Sequence, residues 1–470
     1  MKMIRILLGL MIALSFNHAA TAENLLDIYQ RALRQDPSLR EAEANRLATL
    51  ESKPQAVSAL LPQLSAGAGY GYSEADGSSV FPQAFDDDND PNTPPITIEV
   101  PNNFDQDATT LQWRVDLRQS VFKWDQWVTL RRADKQVAQA EADFRAAGQD
   151  LMVRVATAYF DVLAAQDTLE SEQASREAIS RQLEQANKRF EVGLIAITDV
   201  QEAQSGYDQA VAAEILAKRN LATRKESLRE IIGEYPEQLQ PPKDEIPLVS
   251  PQPEVEDEWV DMALQQNLNL LSSELGAQMT RDNVSFQRSG HFPSLEIQGS
   301  YNGMDSEGDR TSSIGAGSPV TSTTDSDRTG YDISLQLSVP IYSGGNVSSK
   351  TKQAVYEHRA ARERFERTAR QTERETRDAY LGVVSEIARV KALKQARASA
   401  ETALQATTAG FDVGTRTTVD VLNQRRQLFI ADVNYHRSRY DYIINVLRLK
   451  QAAGSLTVQD IQEINSWLEL

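Results

Sequence analysis

Hydrophobic positions along the chain change their spacing in a fixed order, and this order occurs twice. Two tracts, at about 24 to 60 and 257 to 289, carry apolar residues at helical spacing. Each tract is followed by two segments in which apolar and polar residues alternate, the pattern of a half-buried strand. The four segments are Leu64 to Tyr72, Leu111 to Arg118, Leu295 to Tyr301 and Tyr331 to Val339. The pattern therefore predicts four strands, two in each half.

A long tract without proline follows each strand pair, from about Trp124 to Arg189 and from about Asn346 to Ala409. In the first tract only Gly148 disfavours a helix, at a cost of roughly 1 kcal/mol. About 65 helical residues make a rod on the order of 100 Å long. Each tract ends in a glycine-containing turn and is followed by a shorter helical segment, about 199 to 232 and 418 to 453. Each half is therefore predicted to end in a long helical hairpin.

Matching motifs indicate that the halves arose by duplication. Ala158-Tyr159-Phe160 recurs as Ala379-Tyr380-Leu381, and Phe190-x-Val192-Gly193 recurs as Phe411-x-Val413-Gly414 at the same offset. A proline-rich stretch that cannot be helical separates the copies. We therefore divide the chain into a signal peptide, repeat 1, a linker, repeat 2 and a C-terminal tail, at residues 1–22, 23–235, 236–256, 257–455 and 456–470.

The signal peptide is predicted from three features. Lys2 and Arg5 precede an apolar run from Ile6 to Phe16, and Ala20-Thr21-Ala22 matches an A-x-A cleavage site. The apolar run is shorter than the ~20 residues of a membrane-spanning helix. We therefore expect an exported protein whose mature chain begins at Glu23.

Composition narrows the classes of function. The chain has no cysteine and four histidines, which excludes disulfides and thiol chemistry and leaves little for metal binding. Lys and Arg total 49 against 67 for Asp and Glu, so nucleic acid is an unfavourable partner. No catalytic triad, metal or phosphate-loop pattern rises above background. We expect no enzyme activity, no cofactor and no metal site.

The strands limit how the chain can meet a membrane. Four strands cannot close a barrel, and an open sheet edge in lipid leaves backbone groups unpaired at several kcal/mol each. Closure requires copies, since barrels begin at about eight strands. The strand Leu64 to Tyr72 has tyrosines on one face and glycines on the other, which suits an outer surface and an open lumen. The alternative is a strand of a soluble β-sandwich.

Four segments resemble the TolC family of Gram-negative outer-membrane channel-tunnels: Leu61 to Leu64, Arg189 to Gln201, Leu337 to Gly345 and Gly410 to Leu422. The resemblance covers the chain from Glu23 to about Leu456. It implies a mixed α and β membrane protein, a homotrimer whose twelve-stranded outer-membrane β-barrel takes four strands from each chain. A long α-helical periplasmic barrel of coiled-coil hairpins continues the β-barrel.

The same resemblance implies a function and partners. The function is a passive, gated exit duct for multidrug efflux, type I protein secretion or both. The partners are outer-membrane lipid, a periplasmic adaptor and an inner-membrane transporter of the RND, ABC or MFS class. Two other classes of protein share some features with this sequence and remain alternatives. A periplasmic adaptor also carries helical hairpins, and a structural coiled-coil filament protein is also acidic and helical.

One carboxylate matches the entrance of the channel in this family. Asp420 occupies the position whose copies form an acidic ring at the narrow periplasmic end, where it favours cations. The family has a second Asp one turn later, but this chain has Asn423, so the resemblance implies one ring instead of two. Asp420 also fits a simpler role, as a first-turn carboxylate of a helix with Thr417 as its N-cap.

A second group matches the gate. Arg416 corresponds to the basic residue that ties its hairpin to the neighbouring one through the carboxylate at Asp199, a pair we call the gate lock. A further family contact joins a Tyr hydroxyl to the residue at Thr198, but Phe411 cannot make that hydrogen bond. Asp199 also fits a charge at a helix N-terminus, where Thr198 and Gln201 have the spacing of a capping box.

The two hairpin turns match the sites at which periplasmic adaptors dock in this family. Their glycines also fit helix C-caps at positive φ. The acidic stretch Asp86 to Asp90 is predicted to be a solvated loop between the first two strands, with a divalent-cation site as the alternative. The docking residues are Val192, Gly193, Leu194, Val413, Gly414 and Thr415.

Overall fold

The computed structural model describes residues 22–85 and 96–469. The predicted signal peptide up to residue 21 and the acidic stretch Asp86 to Asp90 lie outside the described residues. The helices are α1 Leu25–Gln35, α2 Pro37–Leu50, α3 Ser52–Ser58, α4 Trp124–Glu191, α5 Ile197–Ile232, α6 Glu256–Gln266, α7 Leu268–Arg288, α8 Asn346–Asp412, α9 Thr418–Ala452 and α10 Val458–Asn465. The strands are β1 Gln63–Phe85, β2 Ile96–Phe122, β3 Ser294–Ile314 and β4 Val320–Ser338.

The order of elements confirms the sequence prediction, and the strands are longer than predicted. They form one antiparallel sheet in the order β1-β2-β3-β4, with 23, 27, 21 and 19 residues. The predicted segments cover only the part of each strand where one face is apolar. Beyond it the strands continue with Ser, Thr and Asp on both faces, so the hydrophobic alternation fades while the pairing persists.

The register separates two chemically different faces. Leu64 pairs with Leu117, and Tyr301 pairs with both Val115 and Tyr331, so apolar side chains of all four strands share one face. This face is open to solvent in the single chain, where Tyr331 is 81% exposed. The opposite face carries glycines such as Gly67 and Gly69. It also carries every basic residue of the four described strands: Arg114, Arg118, Arg310 and Arg328.

The chain divides into two compact units, and their boundaries differ from the boundaries of the two sequence repeats. The strands and adjoining helix ends, Leu50–Lys135 and Met279–His358, form one unit. Residues up to Thr49, Gln136–Gln278 and Arg359 onward form the other, which we call the helical unit. Each repeat thus contributes to both units. None of the helices in the described ranges combines the length and the apolar character that a membrane crossing requires.

The helical unit has the main hydrophobic core. Tyr159 and Phe160 of α4 are fully buried with Tyr440 of α9, and the rings of Phe160 and Tyr440 stack with centroids 5.6 Å apart. The Tyr159 hydroxyl donates to the carbonyl of Gln240 at 2.7 Å, which ties the proline-rich linker to this core. The predicted C-terminal tail also belongs to the core, because α10 buries Ile461 there.

A buried ion pair fixes the first two helices to the core. Asp36 lies between α1 and α2, where the backbone N–H of Leu39 and the hydroxyl of Ser38 donate to its carboxylate. The guanidinium of Arg154 on α4 meets both carboxylate oxygens, at 3.0 and 3.2 Å. Burial alone raises the pKa of Asp36, but the hydrogen bonds from Arg154 and Ser38 outweigh it and lower the pKa.

We expect Arg154→Leu to lower the free energy of unfolding by about 3 kcal/mol, because breaking a buried ion pair leaves the Asp36 carboxylate uncompensated. Thermal unfolding followed by circular dichroism measures the change. Arg370→Leu is the control, since Arg370 is exposed and pairs with Glu366 on its own helix. Equal losses of stability in the two variants would contradict this role of Arg154.

Candidate functional site at the hairpin tips

The two long helices end in the same turn. At the end of α4 the N–H of Leu194 donates to the carbonyl of Arg189 at 2.8 Å, and at the end of α8 the N–H of Thr415 donates to Gly410, also at 2.8 Å. Gly193 and Gly414 have φ values of +75° and +79°, which side chains with a Cβ rarely adopt. This is the hydrogen-bond pattern of a Schellman C-cap, and it confirms the capping role predicted for both glycines.

The turns present apolar side chains to solvent. Val192, Leu194 and Val413 are 69%, 73% and 76% exposed, and Thr415 is also exposed. Such side chains contribute nothing to the packing of their own chain. Their contact with an adaptor stays a prediction, and their exposure in the single chain is compatible with it.

Asp420 caps the helix in which it lies. Its Oδ2 accepts from the backbone N–H of Thr417 at 2.9 Å and from the Thr417 hydroxyl at 3.0 Å. The backbone N–H of Asp420 donates in turn to the Thr417 hydroxyl at 3.2 Å. The hydrogen bonds from Thr417 and the charge of Arg416 lower the pKa of Asp420. The carboxyl group therefore stays ionised at lower pH than an ordinary aspartate does. The predicted capping role is confirmed, and the ring of Asp420 side chains from several chains stays a prediction.

Asn423 lies one turn beyond Asp420 on α9 and is exposed. It lines a cavity of about 570 Å³ between α4, α5 and α9. Glu202 of α5 and Arg426 of α9 also line this cavity. An acidic side chain at position 423 would therefore line the same cavity as Glu202 and Arg426.

The two members of the predicted gate lock are not paired within one chain. Oδ2 of Asp199 accepts from the backbone N–H of Ala196 at 3.2 Å. The Arg416 side chain makes no hydrogen bond or ion pair to a side chain that the structure describes, although its charge lowers the pKa of Asp420. The lock therefore stays a prediction about the assembly.

The capping box predicted for Thr198 and Gln201 is wrong. Helix α5 begins at Ile197, which makes Ala196 the N-cap and places Thr198 inside the first turn. Asp199 stands at the third helical position and reaches back to the N-cap N–H, as an acidic residue does there. The predicted position of Asp199 as a charge at the helix N-terminus is confirmed, but the cap residue Ala196 has no side-chain acceptor.

One contact at the tips was not predicted from the sequence. The guanidinium carbon of Arg189 lies 4.7 Å from the ring centroid of Phe411, which joins the end of α4 to the end of α8. In the sequence, only the alignment of the two repeats bears on the positions of Arg189 and Phe411. That alignment makes Phe190 equivalent to Phe411 and Arg189 equivalent to Gly410, but it does not show which side chains of the two repeats are in contact.

The family model described as outer membrane efflux protein matches residues 28–234 and 259–455, one segment in each repeat. The outer membrane protein TolC of Vibrio cholerae is 37% identical over 456 residues, which cover 97% of this chain and 96% of the relative. The outer membrane protein TolC of Escherichia coli is 36% identical over 468 residues, 99% of this chain and 89% of the relative. The alkaline protease secretion protein AprF of Pseudomonas aeruginosa is 27% identical over 446 residues, 94% of this chain and 87% of the relative.

Solved structures share the fold. A membrane protein from Pseudomonas aeruginosa superimposes with a TM-score of 0.71 at 19% identity, over 92% of this chain and 93% of that chain. The outer membrane protein VceC from Vibrio cholerae gives 0.68 at 18% identity, over 92% and 96%. The chain thus matches the family model in both halves and its relatives over nearly its full length. It also has the duplicated strand pairs and helical hairpins described above. The chain belongs to the outer membrane efflux protein family.

Proposed function

We propose that three copies of this chain close one twelve-stranded barrel in the outer membrane and together form a passive, gated exit duct. As a member of its family the chain is an outer-membrane channel for efflux and type I secretion. The duct works with a periplasmic adaptor and an inner-membrane transporter of the RND, ABC or MFS class. It moves its cargo without a reaction of its own.

The sheet is the observation that carries this proposal. Its outer strands, β1 and β4, have no neighbour on their free sides among the residues that the structure describes. One of its faces is apolar and exposed, and the other is polar and rich in glycine. A sheet with these properties is unfavourable in water and in lipid until copies pair their free edges. Closure then turns the apolar face to lipid and the glycine face to an open lumen.

The alternatives from the sequence have less support. A periplasmic adaptor carries a single hairpin set, whereas the family model matches both halves of this chain. A filament protein has no need of a sheet with one apolar face. The match to secretion and efflux channels over nearly the whole chain favours the duct over both.

The hairpin tips form the gated entrance in this proposal. Copies of Asp420 form a ring that favours cations, and the gate lock joins Arg416 of one hairpin to Asp199 of a neighbouring hairpin. Two observations support the lock. Arg416 has no ion pair to a described side chain of its own chain, and only one oxygen of Asp199 accepts a local hydrogen bond. The exposed apolar turns dock the adaptor.

The barrel is tested with two neighbouring residues of β4. Leu335→Arg places a charge on the apolar face and should cost about 2 to 4 kcal/mol if that face meets the middle of the bilayer. We expect loss of heat-resistant trimers in outer-membrane fractions. Ser334→Arg, on the opposite face, should leave trimers intact. Similar trimer yields from both variants would argue against the barrel.

The entrance is tested by block with a trivalent cation in planar bilayers. Asn423→Asp should strengthen the block, because it adds three carboxylates to the three of Asp420, and Asp420→Asn should remove it. Because the pKa of Asp420 is lowered, block of the unmodified channel should persist from pH 7 to pH 5. Unchanged block in Asn423→Asp, or in Asp420→Asn, would place the filter elsewhere.

The gate lock is tested by single-channel conductance. Arg416→Ser removes the cation and should raise conductance, because nothing then holds the neighbouring hairpins by an ion pair. Arg426→Ser is the control from the helix α9 that follows the turn of Arg416, since Arg426 is exposed and is not part of the lock. An Arg416→Ser channel that conducts like the unmodified one removes Arg416 from the gate.

A further inference from the structure

We propose that Arg189 is a positioning residue of the gate, which holds the two hairpin tips of one chain together by lying over the ring of Phe411. This inference rests on the proposed function of the tips as a gated entrance. It adds a contact within each chain to the lock between chains.

The geometry is that of a cation–π contact. The guanidinium carbon of Arg189 is 4.7 Å from the ring centroid of Phe411, inside the ~6 Å range of such contacts. Both side chains are half-buried, so the contact is partly shielded from water. Within the described part of the chain, the side chain of Arg189 makes no hydrogen bond or ion pair. Its neighbour Lys188 differs, because it pairs with Glu184 on the same helix.

At the described hairpin tips, the two repeats share one such contact instead of making one each. Phe190 is the repeat counterpart of Phe411, yet it is 41% exposed and no described cation lies over its ring. The counterpart of Arg189 is Gly410, so the second repeat has no side chain to cover Phe190. A Cβ at position 410 would lie 2.9 Å from Cγ of Arg416, so a side chain there would displace Arg416. Repeat 1 therefore supplies the cation and repeat 2 supplies the ring.

The contact lies at the far end of the hairpins. Farther from the tip, the hairpins approach where Leu422 of α9 faces Gly206 of α5, 3.9 Å from the place of a Cβ. Arg189 and Phe411 belong to the last helical turns before the loops. Any movement that separates α4 from α8 at the tip must break this contact. Since a ring is enough, Phe411 serves here without the hydroxyl that a tyrosine would offer.

The proposal is tested by open probability and conductance of single channels in planar bilayers. Arg189→Gln and Phe411→Leu should each shift the gate toward the open state by about two- to thirtyfold, the factor that corresponds to one cation–π contact. The double variant should open no more than either single variant, because both changes remove the same contact. Arg189→Lys keeps the charge and should open less than Arg189→Gln.

Arg181→Gln is the matched control, since Arg181 lies on the same helix, is exposed and pairs with Glu177. It should open like the unmodified channel. An unchanged Arg189→Gln channel would overturn the proposal, and so would single effects that multiply in the double variant. In both cases the unmodified protein still conducts, so the proposed function stands. If the unmodified protein forms no channels at all, the proposed function itself fails.

Discussion

The unpaired edges of the four-stranded sheet are the constraint on which the rest of this structure depends. In a single chain, no described residue pairs with the free sides of β1 and β4, and an apolar face is exposed to water. Unpaired strand edges and an exposed apolar face are both unfavourable, and a barrel closed by copies of the same sheet in lipid would remove both. The register fixes the outcome, because it puts the apolar side chains of all four strands on one face and the arginines of the strands on the other.

The helical unit solves a different problem. Long helices with polar surfaces need partners along their length, and here the partners come from the second repeat and from the short helices at both ends of the chain. The buried aromatic residues of α4 and α9 and the ion pair of Asp36 with Arg154 hold this unit together. The tips lie outside this core, and a smaller cluster of Ala186, Val200 and Ala203 packs beside them. The gate that we propose lies there, because parts that move must be held less firmly than the main core.

Much of the fold could be predicted from the sequence, because it follows from periodicity. Alternation predicted four strands, the absence of proline predicted two long helices, and the glycines at 193 and 414 predicted the turns. The outer parts of the strands were missed because Ser, Thr and Asp occupy both faces there. The cap at Thr198 was wrong because the spacing of a capping box does not say which residue begins the helix. The stack of Arg189 on Phe411 joins residues of different repeats, so only the folded chain could show it.

The central claim is that closure of the sheet requires three chains. Native mass spectrometry of the protein extracted from the outer membrane measures this directly, since it counts the chains in the intact assembly. Our account predicts one species with the mass of three mature chains, because three sheets supply twelve strands. A monomer, or an assembly with any other number of chains, would contradict it.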